Sequence, residues 1–106
     1  MDNLSLMPAP AVLLATADEM LLDDLLRLSA AAEVVPRVEN DLLGLRRNWQ
    51  TAALVVVGQD LVEPLARTQP VRRSGVLLAG VEPRDDELYR RAFSIGAEGE
   101  IGRAHV

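Results

Sequence analysis

The sequence predicts a three-layer α/β domain, a parallel five-stranded sheet of order 2-1-3-4-5 with helices on its faces. Three observations lead there. Five short apolar runs, at 10–16, 33–38, 52–58, 75–80 and 99–102, alternate with helix-like stretches. The units are about twenty residues long, the rhythm of consecutive βα steps. The third run, "AALVVVG" (52–58), is the most β-branched, which suits the middle of a buried sheet. The second, "EVVPRV" (33–38), contains Pro36, which cannot donate to a ladder and so belongs on an edge. A central third strand beside an edge second strand selects that order.

The first strand is "PAVLLAT" (10–16). Thr16 and Glu19 have the spacing of a capping box, with Thr16 at the N-cap, and a helix is expected over 18–32. Its inward stripe is Leu22, Leu25, Leu26 and Ser29, widened by Leu21 and Leu28, while Asp23, Asp24 and Arg27 face water. After the edge strand, Asn40 or Asp41 caps "DLLGLRRNWQ", a short helix weakened by Gly44. Asp60 starts "DLVEPLARTQ", and Pro64 falls near its first turn, where proline is tolerated. "GVLLAG" (75–80) is the fourth strand. "VEPRDDELYRRAFSIGA" then opens on proline and acids, as a helix dipole favours, and ends at Gly96. It turns Leu88, Ala92, Phe93 and Ile95 inward, with Tyr89 at the margin. A fifth short strand is placed at 99–102.

Composition narrows the function classes. At 106 residues this is one domain, 1–106, with the ordinary apolar and charged fractions of a globular protein. No apolar run approaches a membrane span, and the start lacks a signal-peptide pattern, so a cytoplasmic location is expected. Without cysteine there is no disulfide, thiol nucleophile or zinc–cysteine site. A net charge of −5, spread along the chain, disfavours nucleic acid. The basic spots "LRRNWQ" (45–50) and "VRRSG" (71–75) read as solvated positions. All eleven basic residues are arginine, which excludes lysine chemistry and a Walker-type phosphate loop. His105 has no second His or Cys for a metal site, and Ser74 and Ser94 have no His–acid partners nearby. Trp49 and Tyr89 read as core-edge packing. No enzyme activity, cofactor or metal is expected.

In such sheets ligands bind at the carboxyl ends of the strands. There the sequence has Thr16, Ala17 and Asp18 after strand 1, Gly58, Gln59 and Asp60 after strand 3, Gly80, Val81 and Glu82 after strand 4, and Arg103 after strand 5.

With those ends placed, and with "AFSIGAEGEI" (92–101) leading into strand 5, the chain resembles a response-regulator receiver, a CheY-like domain of flavodoxin-like fold. The resemblance implies an aspartate ending strand 3 that accepts a phosphoryl group and an acid pair after strand 1 that holds Mg²⁺. It also implies a Thr or Ser ending strand 4 and a Lys ending strand 5. Here the acceptor position is Gly58, the acid pair is Thr16 and Ala17, the hydroxyl position falls at or next to Gly80, and the Lys position is Arg103. None of the key side chains is carried over, so the expectation is a pseudo-receiver. Asp18 and Asp60 follow neighbouring strands, and either they form a displaced acidic site or each marks a helix start.

The family's last helix, which packs beside the first, is expected to be absent, since the sequence stops at Val106. That would leave roughly several hundred Å² of apolar sheet face for a partner. A protein partner or self-association as a homodimer is expected, or else the chain is the N-terminal part of a longer protein. Composition and spacing narrow the resemblance to the N-terminal domain of CpaE-like, septum-site-determining proteins. The expected function is then a non-phosphorylatable regulatory domain of a CpaE-like MinD/ParA-type ATPase, acting in septum-site determination or secretion/pilus positioning. Two alternatives stay open: an atypical receiver phosphorylated at a displaced Asp, and a small-molecule binding module at the strand-1/strand-3 edge.

Overall fold

The structure, a computed structural model, describes residues 11–80 and 86–101. In chain order the elements are β1 (Val12–Ala15), α1 (Glu19–Ala31), β2 (Arg37–Glu39), α2 (Leu42–Arg47), β3 (Leu54–Gly58), α3 (Gln59–Arg67), β4 (Val76–Ala79), α4 (Asp86–Ser94) and β5 (Gly99–Ile101). All pairings are parallel and the strand order is β2-β1-β3-β4-β5, as the sequence predicts.

The two-residue period of the strands sorts their side chains into two cores. Leu13, Ala15, Val55, Val57, Val76 and Leu78 face one way, against Leu45 of α2, Leu61, Val62 and Leu65 of α3, Ala92 of α4 and Ile95 just after it. Leu14, Val56 and Ala79 face the other way, against Leu21 and Leu25 of α1. Each fully buried leucine contributes about 1.5–3 kcal/mol, so α1 is held chiefly by those two side chains. Trp49 packs at the edge of the larger core, only 4% exposed. No described helix is long and apolar enough to cross a membrane.

Several expectations shift. The N-cap of α1 is Asp18, whose carboxylate accepts from the amides of Met20 and Leu21 at 3.0 and 3.1 Å. Thr16 is therefore not the cap, and no capping box forms with Glu19. Leu26 and Leu28 are exposed rather than in the stripe, because α1 is rotated to centre on Leu21 and Leu25. Phe93 is likewise 73% exposed, since Ala92 of α4 and Ile95, just past its end, take the inward positions. The Tyr89 side chain lies outside the described residues.

The second strand begins later than expected, at Arg37, because the chain turns through Glu33 at φ 59° and closes α1 with a bond from Val34 N–H to the Ser29 carbonyl. Asp41, not Asn40, caps α2. Gly44 is buried there against the Glu39 side chain, whose carboxylate leaves no room for a Cβ. Helix α3 starts at Gln59, so Pro64 is its sixth residue, in the second turn, where it removes one backbone bond.

Candidate functional site at the carboxyl edge of the sheet

Parallel pairing fixes where the strand ends meet. Ala15 of β1 sits beside Val57 of β3, so the next positions along, Thr16 and Gly58, are level with each other. Gly58 then turns directly into α3, which places Asp60 in the first turn, above the end of β1.

Asp60 does not cap its own helix. The N-cap position is Gly58, with no side-chain bond, and the Asp60 carboxylate reaches across to β1 instead. One oxygen accepts from the Thr16 hydroxyl at 2.6 Å and the other from the Ala17 N–H at 2.7 Å. Thr16 is 1% exposed, and its oxygen also accepts from the Asp18 N–H at 3.1 Å. Both hydroxyl roles are used, donor and acceptor. The carboxylate makes these bonds stronger than neutral ones of the same length.

This latch explains the glycine. A Cβ built on Gly58 would lie 2.5 Å from Asp60 Oδ1, 2.6 Å from Thr16 Oγ1 and 2.7 Å from Thr16 Cβ. The backbone of Gly58, at φ −66° and ψ 151°, is one that any residue adopts. Space, not conformation, excludes a side chain there.

Gly80, at the end of β4, has the opposite reason. Its φ is +80°, and a Cβ would come within 3.0 Å of the Leu21 side chain. Its N–H bonds the Ile101 carbonyl at 2.8 Å, tying the ends of β4 and β5 together. Val81, Glu82 and Arg103 lie outside the described residues.

The structure thus brings Thr16, Ala17, Gly58 and Asp60 into one cluster and places Asp18 at its rim. Asp18 and Asp60 each hold backbone donors of the β1–α1 segment, so both carboxylates already have partners. Among the described residues no group of three or more His, Asp or Glu side chains is arranged to hold a metal ion. The Thr16–Asp60 pairing, between residues far apart in sequence, is what sequence reasoning missed. Its signal was present, an acid two positions past a glycine that is level with a threonine on the neighbouring strand.

Beside this cluster, α3 and α4 are joined at the surface. Glu63 bonds Arg67 at 2.8 Å and lies 3.6 Å from Arg91, which bonds Glu87 at 2.8 Å. The Glu87 hydrogen bond first, and then Glu63, raise the Arg91 pKa above its ordinary value, so it stays charged.

Comparison with known families gives one result. A family model described as "Rv3660c-like, CheY-like N-terminal domain" matches residues 15–101. No curated protein and no solved structure gives a match.

Proposed function

The chain belongs to the family of Rv3660c-like, CheY-like N-terminal domains, and from that membership we propose a receiver-like regulatory domain that is non-catalytic, is not phosphorylated, and acts through protein contact. The observation that carries this reading is the filled space at Gly58. A phosphoryl acceptor needs a side chain at the end of β3, and the Thr16–Asp60 bond occupies the volume where it would begin. The backbone and hydroxyl donors nearby are turned to Asp60, whose negative charge also opposes an incoming phosphoryl anion.

The contact surface in this proposal is the groove between α4 and β5. It has a volume of about 340 Å³, is lined by Leu78, Ala92, Ala97 and Gly99, and carries the exposed Phe93 on its lip. A second copy of the chain is the proposed occupant, giving a homodimer. The resemblance in composition and spacing to CpaE-like proteins supports a further proposal. The domain regulates a MinD/ParA-type ATPase in septum-site determination or secretion/pilus positioning.

Incubation with acetyl phosphate and Mg²⁺, followed by intact mass measurement, tests the first part. No phosphoryl adduct is expected. An acid-stable or hydroxylamine-sensitive adduct mapped to Asp60 or Asp18 overturns the proposal in favour of an atypical receiver. Sedimentation equilibrium tests the second part, and a monomer at high concentration overturns the homodimer.

A further inference from the structure

At the opposite end of the sheet, before β3 and β4, lies a concavity of about 270 Å³. Pro70 and Val71 give its floor apolar surface, with the buried Leu65 and Trp49 behind them, and Arg46 and Arg47 stand on its rim. We propose that this groove docks an acidic peptide segment of a partner protein, one apolar side chain seated on the floor and flanking carboxylates on Arg46 and Arg47.

Charge carries the choice of occupant. The chain has sixteen acids to eleven bases, yet no carboxylate lines this groove. Four other concavities among the described residues each carry at least one. Arg46 is exposed and makes no ion pair or hydrogen bond among the described residues, while Arg47 makes a loose ion pair with Glu39 at 3.8 Å, beyond hydrogen-bond length. The Arg46 guanidinium is therefore free for bidentate carboxylate recognition, and Arg47, which shares only a loose ion pair with Glu39, adds a second positive charge beside it.

The floor is preformed. Trp49 donates its indole N–H to the Val71 carbonyl at 2.7 Å, which joins the two walls of the groove. Arg73 lies 5.9 Å from the centre of the indole ring and donates to the Trp49 carbonyl and, at 3.0 Å, to that of Ala53. The two basic spots of the sequence thus meet around one fixed tryptophan. The volume lies at the small end of the range of about 300–1,000 Å³ typical of ligand pockets and is ample for a single anchoring side chain.

Arg46 and Arg47 also occupy the last turn of α2, where positive charge complements the helix dipole. That role acts on stability alone and gives no ligand response.

The test uses the emission of Trp49, the only tryptophan, titrated with a short capped peptide of aspartates and glutamates around one leucine. A saturable change is expected, weakened about tenfold by Arg46→Glu and progressively lost between about 0.05 and about 0.5 M salt. Arg46→Gln serves as the milder variant should charge reversal disturb α2. The proposal is overturned by no saturable change, or by equal binding to both variants. Equal binding of a lysine version, a leucine-free version or a single-stranded oligonucleotide overturns it too.

Discussion

Thr16 and Asp60 close a 2.6 Å hydrogen bond across the ends of β1 and α3, and that bond fills the space beside Gly58. The candidate site is therefore a packed junction, and substitutions in it should behave as core substitutions do.

Gly58→Ala should destabilise the fold by about 1–3 kcal/mol, the usual cost of overpacking, measured by denaturant unfolding. Because the backbone there suits alanine, relief of the crowding should recover much of the loss. In an Asp60→Ala background the Gly58→Ala cost should fall, and a double-mutant cycle would read the coupling. Strict additivity would show that the two positions do not compete for space.

Asp60→Ala alone should cost about 1–3 kcal/mol, since the Thr16 hydroxyl, 1% exposed, loses its acceptor. Hydrogen exchange at the Ala17 amide should quicken, because that N–H loses its acceptor as well. Unchanged protection there would argue against the latch.

These two outcomes bear on what could be read from the residues themselves. Strand order and the two cores follow from period-two and β-branched patterning, which are local signals with a geometric meaning, and Val55, Val56 and Val57 show them plainly. Caps and faces were harder. Thr16 and Asp18 are both good N-cap residues, and the choice fell to Asp18 because the Thr16 hydroxyl is recruited by Asp60 from another βα unit. Leu26 and Phe93 satisfied helical spacing, but the rotation of each helix is set by the sheet it meets. Gly58 could be matched to the acceptor position of a receiver, while the atoms that fill the space beside it come from two distant segments.

Asp18→Ala should lower stability by about 1 kcal/mol through loss of the α1 cap, while Glu19→Ala should change little. Thermal unfolding of the two variants checks this, and an equal loss for both would restore the capping box.

Gly80→Ala should be among the more damaging single changes at this edge. The left-handed backbone alone costs an alanine about 1–2 kcal/mol, and Leu21 adds steric pressure. Leu21→Ala should relieve only the second part, so the double variant should not return to the stability of Leu21→Ala alone.

Phe93→Ser should leave the unfolding free energy of the monomer, measured at low concentration, within about 0.5 kcal/mol of its original value, because the ring is largely exposed. It should also shift sedimentation toward the monomer, since the groove beside it is the proposed contact between copies.

The tight fit at the end of β3 constrains which neighbouring sequences remain reachable. An aspartate at 58 would need smaller or displaced groups at 16 and 60 in the same step, because each single change is uphill in stability. Three positions on two βα units have become one interlocked trait. Single substitutions at this edge are costly, and an acidic strand end lies out of reach of mutation taken one residue at a time.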